Sequence, residues 1–192
     1  TRWCVRSRGL GDVYKRQSSR RLAVRSTRPE EAALLPGIER SAGRAFLRLP
    51  ELAWIATDDV LSEEAHRHFI ELGGSWVAEL DGTVIGFACA EPYDDDLHVW
   101  EIAVALESQG VGAGTALMDA LTTHARRRGL RRVTLTTFRD VAWNEGFYRH
   151  LGFRVLERHE LDHRLSHVLD LEYRQGLPLD RRCAMALPLA PA

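Results

Sequence analysis

Gln109-Gly110-Val111-Gly112-Ala113-Gly114, QGVGAG, decides the reading of this chain: a buried strand over residues 97–105 precedes it and an amphipathic helix over 113–128 follows it. The helix carries Ala113, Leu117, Leu121 and Ala125 on one stripe, and Arg126, Arg127, Arg128 and Gly129 mark its end. The first turn of a helix has backbone N–H groups without partners and a positive dipole end. Glycines there let a phosphate group approach those N–H groups without meeting a side chain. The stretch is therefore a candidate phosphate cradle.

Residues 22–26 alternate as a short strand. Thr27 with Pro29, Glu30 and Glu31 then starts a helix running to about Ser41. A second helix is expected over 61–72, with Ser62 as N-cap and Gly73 and Gly74 as its stop. Strands at 75–80 and 83–90 flank Asp81-Gly82, a hairpin signal. After the loop come a strand at 132–137, a short helix at 144–150, strands at 153–158 and 183–189, and an additional helix at 162–175 between those last two. This order predicts an α/β (α+β) fold. Its sheet is mixed, mostly antiparallel and twisted, with six to seven strands, helices on both faces and one parallel crossover near the middle.

The chain has 192 residues, 45% of them apolar, enough for a core without disulfides. Residues 20–190 are expected to form a single domain, and 1–19 a non-native or disordered extension. Residues 9–17, GLGDVYKRQ, resemble translated adapter sequence, so 1–17 are set aside from fold reasoning. Those 17 residues hold five of the 26 basic side chains and one of the 27 acidic ones, which leaves the remainder net acidic and unlike a nucleic-acid surface. Cys4, Cys89 and Cys183 share no close spacing and suggest neither a disulfide framework nor a zinc site. With no apolar run near 18 residues, no membrane span is expected. A reducing cytoplasm is the expected location, and the arginine-for-lysine bias fits a bacterial source.

Two nucleotide readings of QGVGAG fail on its own residues. A dinucleotide GxGxxG starting at Gly110 would need glycine at Thr115 and an acid ending the next strand, and a P-loop would need a Gly-Lys pair. Gln109, Gly112 and Gly114 instead match the QxxGxG of the GNAT superfamily of N-acetyltransferases. Phe147, Tyr148, Leu151, Gly152 and Phe153 match its later signature of tyrosine, two residues and LGF. From about residue 22 to 189 the chain resembles that superfamily and its acyl-CoA N-acyltransferase fold.

The resemblance implies acetyl-CoA as acyl donor, with its pyrophosphate over Gln109, Gly110, Val111, Gly112, Ala113 and Gly114. Its pantetheine arm would run along Ile102, Ala103 and Val104, in a cleft where the fourth and fifth strands splay apart. Glu101, a carboxylate within an apolar strand, is the candidate general base, acting through a water; the alternative is a solvated or Arg-paired side chain. Tyr148 occupies the general-acid position; its alternative is a core tyrosine. The asparagine that many members carry seven residues before that tyrosine is replaced by Val141. Asn144 is either its substitute at the cofactor or a helix N-cap. A non-catalytic acyl-CoA-binding regulatory domain and a cofactor-free interaction module are the alternative functions.

His159, His163 and His167 recur every four residues, but the helix is expected to start near Asp162, which leaves His159 outside it; no metal is expected. The late insert is a candidate cover for the acceptor pocket through His163, His167 or Glu172. His66 and His68 read as solvated, His98 as a neighbour of the pocket, and Asp94 to Asp96 as a polar turn with a cation-attracting alternative. The expected partners are acetyl-CoA and an amine acceptor, without nucleic acid or membrane, in a monomer or homodimer.

Overall fold

Asp81 and Gly82 take φ of 52° and 83°, the left-handed pair that lets a two-residue turn follow the twist of its strands. In this computed structural model, which describes residues 21–189, they join β2 (Ser75–Leu80) to β3 (Thr83–Tyr93). Asp94 and Asp95 turn β3 into β4 (Asp96–Val104). With β1 (Leu22–Ser26), β5 (Arg132–Phe138), β6 (Arg154–Val155) and β7 (Arg182–Pro188), these form a seven-stranded sheet in the order β1-β2-β3-β4-β5-β7-β6. Every pairing is antiparallel except β4 with β5. Residues 1–19, with the extension expected there, lie outside the described residues.

Helices cover both faces because alternate strand residues carry two apolar sets. On one face α3 (Ala113–Arg127) sets Leu117, Met118 and Leu121 against Ala88, Val99 and Leu135. On the other, α1 (Leu35–Gly43) and α2 (Glu63–Glu71) set Leu35 and Phe69 against Val77, Phe87, Cys89 and Ala103. α5 (His163–Arg174) sets Leu165 and Leu169 against Ala184 and Ala186 on that same face. α4 (Glu145–His150) follows β5. Among the described residues no helix is long and apolar enough to cross a membrane.

Three sequence expectations shift. The helix expected from Thr27 to Ser41 is a 3-10 turn over Pro29–Leu34 followed by α1, since Pro36 has no N–H to extend an α-helix and its ring would crowd the carbonyl of Ala32. The strand expected at 153–158 pairs only over Arg154–Val155 at the sheet edge, then leaves as a 3-10 turn over Arg158–Glu160. Two unforeseen 3-10 turns, Arg44–Arg48 and Pro50–Thr57, pack Phe46 and Leu52 against Phe138 and Val141 beyond the end of β5.

Candidate active site

β4 and β5 are paired only at their starts, where Asp96, Leu97 and His98 lie beside Arg132, Val133 and Thr134; from Val99 onward they part. The Ala105 N–H donates to the Ile85 carbonyl of β3 at 2.8 Å, so alternation turns the polar groups of Ile102 and Val104 away from β3 into the opening. There the Val104 carbonyl accepts from Gln109 Nε2 at 3.2 Å, and the Ile102 N–H donates to Glu101 Oε1 at 3.1 Å. The Glu101 carboxylate therefore reaches the unpaired edge of β4. Ala103, opposite Phe87, directs its polar groups to β3 and its methyl into the core.

The loop lies at the mouth of this opening. Gly112 is the N-cap of α3 with φ +87°, and no side chain caps the helix. The backbone N–H groups of residues 110–115 have no partner among the described residues, and they stand at the positive end of a 15-residue helix. That row of donors fits a pyrophosphate. A Cβ on Gly114 would sit 3.3 Å from Phe147 Cζ, so glycine here lets α4 approach α3 closely.

α4 brings Tyr148 to the same region, 9% exposed and packed edge-on against Phe147 and Phe153. Burial first, then the charge of Glu101, pushes its phenol pKa up, and Arg182 opposes them. Tyr148 thus stays protonated and able to donate. Asn144 stands at the N-cap position of α4, but its side chain makes no cap bond; its Nδ2 donates to Thr137 Oγ1 at 3.0 Å, tying α4 to β5.

Glu101 owes its place to a β-bulge. Cys89 opposes Glu101 while Ala90 opposes Val99, so Trp100 is an extra residue in β4. The slip puts Glu101 on the α1/α2 face rather than under α3 with Val99. Its carboxyl pKa is raised, by burial first and by Glu39 next, against the opposing Ile102 N–H and Arg182. Glu39, on α1, accepts from the Leu61 N–H at 3.2 Å, and burial raises its pKa too. Sequence reading passed over Glu39, although it stands between Ile38 and Ala42 and four residues after buried Leu35, on the inward stripe of its helix.

Arg182 bonds Glu172 through two nitrogens, at 2.9 and 2.7 Å, and its guanidinium lies 4.7 Å over the Phe138 ring. Glu172 also accepts from Thr136. Glu172 is thus held in a partly buried pair, while His163 and His167 are exposed. His98 is buried beside the site, with Nδ1 3.0 Å from Thr134 Oγ1. Asp94 and Asp95 form the expected polar turn, but Asp96 is buried and accepts from Arg132 at 2.7 Å and Arg164 at 3.2 Å. His66, expected to be solvated, is wholly buried edge-on to Phe87: it lies three residues before Phe69 and four before Ile70, on the inward stripe of α2. His68 is exposed.

The model of the acetyltransferase (GNAT) family matches residues 44–153, from the end of α1 to the residue before β6. The chain belongs to this family. It is 30% identical over 129 residues to human N-acetyltransferase 8B, covering 64% of this chain and 56% of that protein. It is 32% identical over 124 residues to the mycothiol acetyltransferase of Thermomonospora curvata, covering 62% and 41%. The chain spans about half the length of the curated relatives it matches. Among solved structures, PaiA N-acetyltransferase from Thermoplasma acidophilum, in complex with coenzyme A, superposes with a TM-score of 0.66 at 16% identity, over 88% of this chain and 99% of that one. The ribosomal-protein-S18-alanine N-acetyltransferase of Escherichia coli gives 0.61 at 20%, over 90% and 96%. At such identities these GNAT likenesses concern the fold.

Proposed function

We propose that this chain is an acyl-CoA-dependent N-acyltransferase that moves acetyl from acetyl-CoA to a primary amine by direct attack. The observation that carries the reading is the continuity of backbone groups without a strand partner: the edge of β4 at Ile102 and Val104, bonded only to the nearby Glu101 and Gln109 side chains, leads into the N–H groups of residues 110–115, which have no partner among the described residues. One end of that track suits an extended amide-bearing arm and the other a pyrophosphate. It also fits the coenzyme A held by the PaiA structure. We read residues 20–190 as one unit carrying the whole site.

Acetyl-CoA supplies the activated acyl group, and the chain supplies orientation and proton transfer. The Val104 N–H polarises the thioester oxygen. An alkylammonium of pKa about 10.4 is neutral in only about one molecule in 2,500 at pH 7, so attack requires a base. Glu101 takes that proton through a water, its basicity raised by burial and by Glu39. As the new C–N bond forms and the C–S bond breaks, Tyr148 donates its phenolic proton to the departing thiolate. Thermal unfolding with and without acetyl-CoA, followed by thiol release across an amine panel, tests the reading. Ligand at 100 times its dissociation constant should stabilise by about 2.7 kcal/mol. Absence of stabilisation refutes cofactor binding, and stabilisation without amine-dependent release refutes catalysis.

A further inference from the structure

The α1/α2 face beside Glu101 carries an aromatic and acidic cluster that the transfer chemistry does not use. Glu91 lies two residues, about 7 Å, along β3 from Cys89, the residue opposite Glu101, and side chains two apart share a face. Its Oε2 accepts from the Tyr93 hydroxyl at 2.7 Å and from Trp100 Nε1 at 3.3 Å, which fixes a carboxylate against an indole edge. The Trp100 ring stands edge-on to His98 with centroids 4.7 Å apart and remains 38% exposed, although it adjoins Glu101 in sequence.

Charge pairing around this cluster is uneven. Glu172 is matched by Arg182, and Asp96 by Arg132 and Arg164. Arg164 lies over the Tyr93 ring at 4.9 Å, but its charge is taken up by Asp96. Glu91, Glu101 and Glu39 have no basic side chain within salt-bridge distance among the described residues. Glu101 must be free to accept a proton, whereas Glu91 has no part in that step. An unpaired carboxylate locked against an exposed indole offers both elements of ammonium recognition, a counter-charge and a π face.

We infer that the acceptor is a linear diamine or polyamine, whose second ammonium is held by Glu91 and the face of Trp100 while the reacting amine lies at Glu101. The inference rests on the N-acyltransferase reading above.

The test measures kcat/KM for acetyl-CoA-dependent acetylation of terminal diaminopentane and of n-pentylamine, which differ only in the second charge. The intact chain should favour the diamine by about tenfold or more, chiefly through KM. Glu91→Gln and Trp100→Leu should each reduce that ratio severalfold, and Trp100→Phe should retain most of it. Acetyl-CoA-induced thermal stabilisation checks that each variant is folded. Equal turnover of the two amines, an unchanged ratio in Glu91→Gln, or acetylation of other acceptors but no diamine overturns the proposal and leaves the N-acyltransferase reading standing. No acetyl-CoA stabilisation and no amine-dependent thiol release overturns both.

Discussion

His66 gives the chain a pH-dependent weakness. Its ring is wholly buried on α2, both nitrogens lack a partner among the described residues, and burial moves its pKa from 6.5 down to about 4. The unfolded chain takes up the proton below about pH 6.5, while the folded chain resists until near 4. Stability therefore falls as pH drops through that window. Between pH 8 and pH 5 the two values correspond to a loss of about 2 kcal/mol from this one group. Glu39 and Glu101 act in the opposite sense, since their raised folded pKa values let the folded chain keep protons that the unfolded chain has lost. Their contribution cancels when wild type is compared with His66→Leu at each pH. Urea denaturation at pH 8 and pH 5 should show His66→Leu gaining about 2 kcal/mol relative to wild type on going to pH 5. At pH 8 the variant should be no less stable, because it removes two unsatisfied nitrogens. A difference that does not change between the two pH values would refute the reasoning.

Three further outcomes follow from the site. Gly112→Ala places a side chain at φ +87° and should cost about 1 kcal/mol in thermal or urea unfolding while raising KM for acetyl-CoA. Glu39→Gln removes a negative charge that raises the Glu101 pKa, so the acid limb of the kcat/KM profile, set by deprotonation of Glu101, should move to lower pH. Arg182→Met removes a positive charge that holds the Glu101 and Tyr148 pKa values down, and the same limb should move to higher pH.

Local chemistry made much of the fold legible. The Asp81-Gly82 turn, the Ser62 cap and the Gly129 stop each need only neighbouring residues, and each forms as expected. The Ser62 hydroxyl accepts the Ala65 N–H at 3.1 Å, and Leu130 N–H reaches back to the Ala125 carbonyl at 3.0 Å. What escaped depends on distant partners. The turns over 44–57 have no periodicity of their own and are held by Phe138 and Val141 at and beyond the end of β5. The bulge was written as a change of parity, with Leu97 and Val99 on the α3 face and then Ile102 and Val104 on that face too, which requires one extra residue between them. Glu39 and His66 sit on apolar helical stripes, and reading residue type ahead of position hid both. Glu101 and Tyr148 stand out in the sequence because one is a charge inside an apolar strand and the other belongs to a family motif.

Turnover of acetyl-CoA with a competent amine, read as thiol release for the intact chain, Glu101→Gln and Tyr148→Phe, tests the central claim most directly. In each variant kcat should fall about 10²- to 10⁴-fold while acetyl-CoA still stabilises both. Full turnover in both variants would contradict it.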